Sequence, residues 1–134
     1  MNGIKSIPPT NQKLLGIMEE LIKREPIFHR PEFGMSRADF ENMTDNDFWE
    51  VGASGSIYNR EYVIETLVER YRNPGEDIWE TKDFHCFEIA PDNYLLAYTL
   101  IQNRQRVTRR ATLWRRCNDG WKILYHQGTI VQEP

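Results

Sequence analysis

Two residues of this chain, Glu50 and His126, have side chains suited to acid–base chemistry. A carboxylate accepts a proton as a general base, and an imidazole accepts and donates protons near neutral pH. Each residue also has a structural interpretation. Glu50 would form a salt bridge with Arg110 or cap a neighbouring backbone, and His126 with Gln127 would hydrogen-bond loop backbone at a strand end. The sequence leaves both interpretations open.

Arg110 is the residue best suited to bind an anion. The stretch around it is typical of a β-strand, and side chains alternate along a strand, so Arg110, Thr112 and Trp114 share one face. A guanidinium on such a face, inside a cavity, would bind a carboxylate or a phosphate through paired hydrogen bonds. Tyr98, on the preceding predicted strand, is a further hydrogen-bond donor.

The same alternation divides the last predicted strand into two faces. Leu124 and His126 fall on one face, and Trp121, Ile123 and Tyr125 fall on the other. The sequence therefore predicts that His126 does not share a face with Trp121 and Ile123.

Other apparent motifs lack the residues that their chemistry needs. Ser54 lies in a glycine-rich turn, but a nucleophile elbow requires glycine at the position that Ser56 occupies. The same glycines lack the lysine and the spacing of a phosphate-binding loop. His85 and Cys86 are adjacent on a predicted strand, so they point to opposite faces and cannot readily bind one metal. We expect neither a metal nor a cofactor.

Composition argues against two classes of partner. The 134 residues carry a formal net charge of −3, which gives no electrostatic reason to bind nucleic acid or an anionic membrane. No run approaches the roughly 20 apolar residues of a membrane span, and residues 1–9 lack the apolar core of a signal peptide. The two cysteines, Cys86 and Cys117, are best explained as reduced thiols. We expect a cytoplasmic protein that binds neither nucleic acid nor membrane.

Capping residues and hydrophobic periodicity predict three helices in the first half of the chain. The first begins at Asn11 or its preceding threonine and ends before Pro26, because the residue before a proline is pushed out of the α region. The second opens at Ser36 with a variant of the capping box. The third opens at Asn59 and stops at the Asn-Pro-Gly of residues 73–75.

The second half of the chain is predicted to form an antiparallel sheet. From residue 78 the apolar period changes to two, which predicts strands at about 78–89, 94–103, 107–116 and 121–127. A short strand, 48–51, precedes the third helix, and an extended connector, 26–34, precedes the second. Turns of two or three residues require antiparallel neighbours. We predict an α+β domain, with helices on one face of a mostly antiparallel sheet and the C-terminal hairpin near its centre.

One predicted strand also bears on oligomeric state. Both faces of residues 94–101 are apolar, since Tyr94, Leu96 and Tyr98 alternate with Leu95 and Ala97. Helices can cover only one face of a sheet, so the other face needs a partner. We expect a homodimer that packs through that face.

Three segments resemble the nuclear transport factor 2-like superfamily. They are residues 47–55 (DFWEVGASG), residues 59–61 (NRE) and the closing pattern WRR…W…HQGT, residues 114–129. In particular, they resemble its bacterial branch of SnoaL-like domains, relatives of polyketide cyclases. The resemblance covers nearly everything from residue 14 to 131. We predict a flexible N-terminal arm, residues 1–10, which contains Pro8 and Pro9, followed by a single nuclear transport factor 2-like domain, residues 11–134.

The resemblance carries expectations about shape. It implies a cone, a strongly curved antiparallel sheet whose concave face and N-terminal helices enclose a pocket, and it implies homodimers packed through the sheet. Members include ketosteroid isomerase, scytalone dehydratase and limonene epoxide hydrolase, and others are binding or assembly modules. The fold therefore does not decide the function.

The sequence thus predicts a small-molecule-binding domain, with an acidic organic metabolite as the expected ligand. The expected ligand-binding residues are Arg110, Tyr98, Thr112, Trp114, His126 and Glu50. Two alternatives stay open. One is a cofactor-independent isomerase, cyclase or dehydratase that uses Glu50 and His126, and the other is a homodimeric interaction module.

Overall fold

Three helices pack on one face of a six-stranded sheet in the computed structural model, which describes residues 6–75 and 77–132. The helices are α1 (Leu15–Ile22), α2 (Arg37–Met43) and α3 (Arg60–Arg72), and a 3-10 turn, Gln12–Leu14, leads into α1. All three lie where the sequence predicts helices. Residues 1–5 of the predicted arm lie outside the described residues.

The helix starts are capped by the residues that the sequence predicts. The Asn11 side chain accepts a backbone hydrogen bond at the turn before α1. Ser36 and Asp39 form a reciprocal capping box at α2, and the Asn59 side chain accepts the Tyr62 N–H at α3. These contacts satisfy backbone donors that a helix leaves free, so each helix start is encoded within a few residues.

The sheet confirms the predicted α+β class, since it is curved and mostly antiparallel. Its strands, in the spatial order β2-β1-β6-β5-β4-β3, are β1 (Thr44–Val51), β2 (Ile57–Asn59), β3 (Trp79–Ala90), β4 (Asn93–Gln102), β5 (Arg106–Cys117) and β6 (Gly120–Ile130). The last four strands form the predicted antiparallel meander. The hairpin of β5 and β6 lies at the centre, as expected.

The first two strands differ from the prediction. Strand β1 begins at Thr44 rather than at residue 48, and the three-residue strand β2 was not predicted. Strand β1 also pairs with β6 in parallel, so the sheet is mixed. A pairing between segments so far apart in the chain leaves no local signal, because turn chemistry reports only on neighbouring strands.

A β-bulge in β6 overturns the predicted division of that strand into faces. The pairing with β5 passes from Tyr125 directly to Ile123 and skips Leu124. An extra residue shifts the alternation by one position, so Trp121, Ile123 and His126 are all buried. The prediction that His126 lies on the face opposite Trp121 and Ile123 was wrong for this reason.

Residues 25–34, here called the strap, connect α1 to α2. The strap contains one 3-10 turn, Pro31–Phe33, and buries Ile27 and Phe28 in the core. The Tyr71 hydroxyl donates a hydrogen bond of 2.6 Å to the Phe28 carbonyl, and the Arg30 guanidinium stacks on Trp79. The strap is therefore tied to α3 and to the sheet.

Candidate functional site

A cavity of about 260 Å³ lies between the strap, α3 and the central strands of the sheet. Its polar lining residues are His29, Glu50, Tyr58, Tyr62, Thr66, Arg70, Arg110 and His126. Its apolar lining includes Ile27, Phe28, Val63 and Leu67. A concave, partly apolar cavity with a few converging polar groups is the usual form of a small-molecule site.

His126 is the most buried polar residue of this cavity. It is 2% exposed, and neither ring nitrogen has a hydrogen-bond partner among the described residues. Its Nδ1 lies 3.5 Å from Oε2 of Glu50, which is close enough for an ion pair when the imidazole is protonated. A buried polar group without a partner costs free energy, so His126 is a site where a ligand or water would be stabilising.

The parallel pairing of β1 with β6 is what places Glu50 beside His126. The two residues are direct partners in the register of that pair. The sequence singled out both residues but gave no reason for them to meet. The structure brings them together at the cavity through a strand pairing that local signals did not predict.

Arg110 enters the cavity from β5. Its Nε donates a hydrogen bond of 2.9 Å to the Thr108 hydroxyl, and no carboxylate lies within 4 Å of its guanidinium among the described residues. The alternative in which Glu50 forms a salt bridge with Arg110 is therefore not found in this structure. Burial lowers the pKa of Arg110 from its ordinary value, as expected for a guanidinium that has lost part of its hydration.

Gly128 provides the space for the Arg110 side chain. A Cβ atom added to Gly128 would lie 3.4 Å from both Cζ and Nε of Arg110. The two residues are direct partners in the pairing of β5 with β6. The guanidinium therefore lies against the backbone of β6, two residues beyond His126.

Two further basic residues border the cavity. Arg70, on α3, is exposed, and His29, on the strap, is largely buried with Nδ1 3.9 Å from Oδ2 of Asp77. Burial, and next the positive charge of Arg70, lower the pKa of His29 to about 4. His29 is therefore neutral at pH 7. Neither residue was identified from the sequence, since neither occurs in a recognisable motif.

Tyr98, Thr112 and Trp114 are buried and do not line this cavity. The Tyr98 hydroxyl and the Trp114 Nε1 donate hydrogen bonds of 2.7 Å and 3.0 Å to the carboxylate of Glu25. The Thr112 side chain is fully buried. Of the six predicted ligand-binding residues, Glu50, Arg110 and His126 line the cavity together, and the other three do not line it.

Glu25 is the residue that the sequence analysis missed. It has no exposed surface, and its Oε1 also accepts the Ile27 backbone N–H at 3.2 Å. Complete burial raises the pKa of Glu25, while the charge of His126 and the hydrogen bonds from neighbouring side chains oppose the rise. Its position before Pro26, at the end of the first helix, was visible in the sequence. The chain has 20 acidic residues, and nothing in the sequence distinguished Glu25 from the other 19.

The described part of the chain contains no group of three or more His, Cys, Asp or Glu side chains that could hold a metal ion. None of its helices has the length and apolar character needed to cross a membrane. What the cavity does offer is an arginine without a carboxylate partner and a carboxylate beside an imidazole. The first group can bind an anion, and the second pair can accept or transfer a proton.

No family model matches the sequence, and no curated protein matches it significantly. Solved structures do match the fold. A nuclear transport factor 2-like protein from Cytophaga hutchinsonii has a TM-score of 0.63 at 14% identity, over 91% of this chain and 100% of that chain. A candidate ketosteroid isomerase from Parabacteroides distasonis has a TM-score of 0.64 at 18% identity, over 92% and 95% of the two chains.

A third solved structure also matches the fold of this chain. It is a candidate association domain of a calcium/calmodulin-dependent protein kinase type II from Thiobacillus denitrificans, with a TM-score of 0.62 at 15% identity. The match covers 96% of this chain and 100% of that chain. At these identities the likeness concerns the fold alone, and the SnoaL-like branch stays a prediction. The chain has the nuclear transport factor 2-like cone fold that its sequence resemblance implied.

Proposed function

We propose that this protein is a small-molecule-binding domain whose ligand is an acidic organic metabolite. One observation carries the proposal: the Arg110 guanidinium is partly buried at the cavity, and no carboxylate of the described residues lies within 4 Å of it. A buried cation without a counter-charge is costly, and a bound carboxylate or phosphate would offset that cost. The unpartnered nitrogens of His126 offer a second polar contact in the same cavity.

The charges around the cavity favour an anion over a cation. Arg70 and Arg110 contribute two positive charges to the lining, and Glu50 contributes one negative charge that already lies beside His126. The apolar side chains of Phe28, Val63 and Leu67 would contact the carbon skeleton of the ligand. An organic acid matches both halves of this lining.

Arg110→Gln tests the proposal, with Arg109→Gln as the matched control. Arg109 precedes Arg110 on the same strand, points to the opposite face and bonds to Thr99 there. For a carboxylate found in a thermal-shift screen, we expect calorimetry to show that Arg110→Gln weakens binding by about 2 kcal/mol or more. Arg109→Gln should leave the affinity unchanged. Equal affinities for the wild type and Arg110→Gln would leave the cavity without its anion anchor.

A second candidate function, a cofactor-independent isomerase, cyclase or dehydratase, is favoured by the proximity of Glu50 to His126. A general base removes a proton from a carbon next to a carbonyl and returns it elsewhere on the substrate. The 3.5 Å between Nδ1 and Oε2 would let the carboxylate stabilise a protonated imidazole. One structural neighbour is a candidate ketosteroid isomerase, which supports this alternative at the level of fold.

Deuterium exchange distinguishes this enzyme from a binding protein. In deuterated water, an enzyme of this type would replace an acidic C–H of its ligand by C–D, and proton NMR would show the signal disappear. We expect His126→Gln to slow that exchange by about 100-fold or more. His85→Gln, outside the cavity, is the control and should exchange at the wild-type rate. Tight binding with neither exchange nor the signals of a new product in the proton spectrum would exclude this second function.

A further inference from the structure

Arg70 continues the face of α3 that lines the cavity. Val63 and Leu67 are buried in that wall, and Arg70 follows Leu67 by three residues, which places it on the same side of the helix. It belongs to the last turn of α3, and its side chain is exposed. Arg70 therefore lies where the cavity opens to solvent.

Arg70 and Arg110 line the cavity from two different walls, one on a helix and one on the sheet. No carboxylate of the described residues lies within 4 Å of the Arg70 guanidinium, whereas Arg72, in the same helical turn, pairs with Glu69. Arg110 also lacks such a partner in the described part of the chain, since Glu50 lies beside the imidazole of the cavity instead. The two guanidinium groups are therefore both open to an anion from outside the chain.

His29, on the strap, responds to the charge of this space. Burial is the first cause that lowers the pKa of His29 to about 4, and the positive charge of Arg70 is the next. Asp77 lies 3.9 Å from the imidazole Nδ1 and opposes the fall, but its effect is smaller than that of Arg70. Arg110 and His126 act in the same direction as Arg70. The charges around His29 thus sum to a positive potential, which attracts a ligand with more than one negative charge.

We propose that the ligand is a dicarboxylic acid that binds at both ends. One carboxylate binds Arg110 on the sheet, and the other binds Arg70 where the cavity opens. The cavity volume of about 260 Å³ equals that of roughly nine water molecules, which accommodates an acid the size of succinate, glutarate or adipate. The inference rests on the proposed function, since it adds a second carboxylate to the same ligand. Arg70 is then the residue that selects diacids over monoacids.

Half-amides provide the matched comparison for this second carboxylate. Succinamate, glutaramate and adipamate differ from succinate, glutarate and adipate only in that one carboxylate is replaced by a neutral amide of similar shape. At pH 7, calorimetry should show that the best-fitting diacid binds about tenfold more tightly than its half-amide, because a carboxylate pairs with a guanidinium more strongly than an amide does. Equal affinities of diacid and half-amide at every chain length would overturn the inference.

Arg70→Gln tests which residue binds the second carboxylate. We expect the variant to bind diacid and half-amide within about twofold of each other, while the half-amide binds as it does to the wild type. Unchanged half-amide binding also shows that the variant is folded. Arg72→Gln removes the same charge from the same helical turn, at a residue that does not line the cavity, and should keep the full preference for the diacid. A preference that survives in Arg70→Gln would overturn the inference.

The inference and the proposed function fail in different ways. If the half-amides bind and Arg110→Gln weakens their binding, but the diacids bind no better, the proposed function stands and the second anchor is wrong. If neither diacids nor half-amides bind to the wild-type protein at millimolar concentration, the inference is wrong, and the acids found in the thermal-shift screen decide the proposed function. A preference for the diacid that Arg70→Gln removes and Arg72→Gln keeps supports both.

Discussion

His29 shows how one residue of the cavity responds to its neighbours. It is held on the strap, close to Asp77, and the cations Arg70 and Arg110 face it together with His126. Burial and the nearby positive charges disfavour a further proton on the imidazole, so the pKa falls from 6.5 to about 4. The carboxylate of Asp77 opposes this fall only in part.

This shift makes stability depend on pH in a defined direction. Between pH 6.5 and about 4 the folded chain binds fewer protons at His29 than the unfolded chain, so the free energy of unfolding decreases as the pH falls through that window. The total loss is on the order of 3 kcal/mol. We expect His29→Gln to remove this part of the acid sensitivity, as measured by urea unfolding at pH 7 and at pH 4.

The control for this prediction is His85→Gln. His85 lies on β3 away from the cavity, where its Nδ1 lies 2.9 Å from the Pro8 carbonyl oxygen. Its replacement should leave the difference in unfolding free energy between the two pH values as it is in the wild type. If His29→Gln and the wild type lose the same stability between pH 7 and pH 4, the protonation of His29 does not limit acid stability.

At the scale of the element, the sequence predicts what a few adjacent residues determine. Ser36 and Asp39 fix the start of α2, Asn59 fixes the start of α3, and Asp119 with Gly120 marks the turn between β5 and β6. Each signal is complete within four residues, because capping and turn formation involve backbone groups that are close in the chain. These elements lie where they were predicted.

The rest of the fold depends on contacts between distant segments. The parallel pairing of β1 with β6 and the bulge at Leu124 are set by packing in the folded sheet. Alternation along β5 predicted only that Arg110, Thr112 and Trp114 share a face, and the register of β5 with β4 runs through these positions without a shift. For the candidate site, the sequence supplied the residue types, whereas their juxtaposition required the three-dimensional structure.

Glu25 is the contact that fixes the strap on the sheet. We expect Glu25→Ala to lower the free energy of unfolding by about 2–4 kcal/mol, because the Tyr98 hydroxyl and the Trp114 indole N–H would lose their buried acceptor. Chemical denaturation would measure the loss. Glu32→Ala, at an exposed position on the same strap, is the matched control and should change stability by less than about 0.5 kcal/mol. Similar effects of the two variants would mean that Glu25 does not anchor the strap.

At the scale of the whole molecule, the outer face of the sheet carries a continuous apolar row. Phe87, Leu95, Leu113, Tyr125 and Trp49 are successive register partners across five strands. Register partners point to the same face, so these side chains lie side by side. Phe87 is 56% exposed and Trp49 is 43% exposed. An exposed apolar patch of this kind is typical of an interaction surface.

We propose that this row is the centre of a homodimer interface. Helices α1 to α3 cover the opposite face of the sheet, so a second copy of the chain would bury the row. At micromolar concentration, sedimentation should give about twice the 16.0 kDa mass of the chain.

Leu113→Asp, in the middle of the row, should dissociate the dimer by burying a charge without a partner. Ile57→Asp, at a residue that is 73% exposed and outside the row, should leave the dimer intact. A wild-type protein that sediments as a 16.0 kDa monomer would exclude the dimer and leave the row open to a different partner.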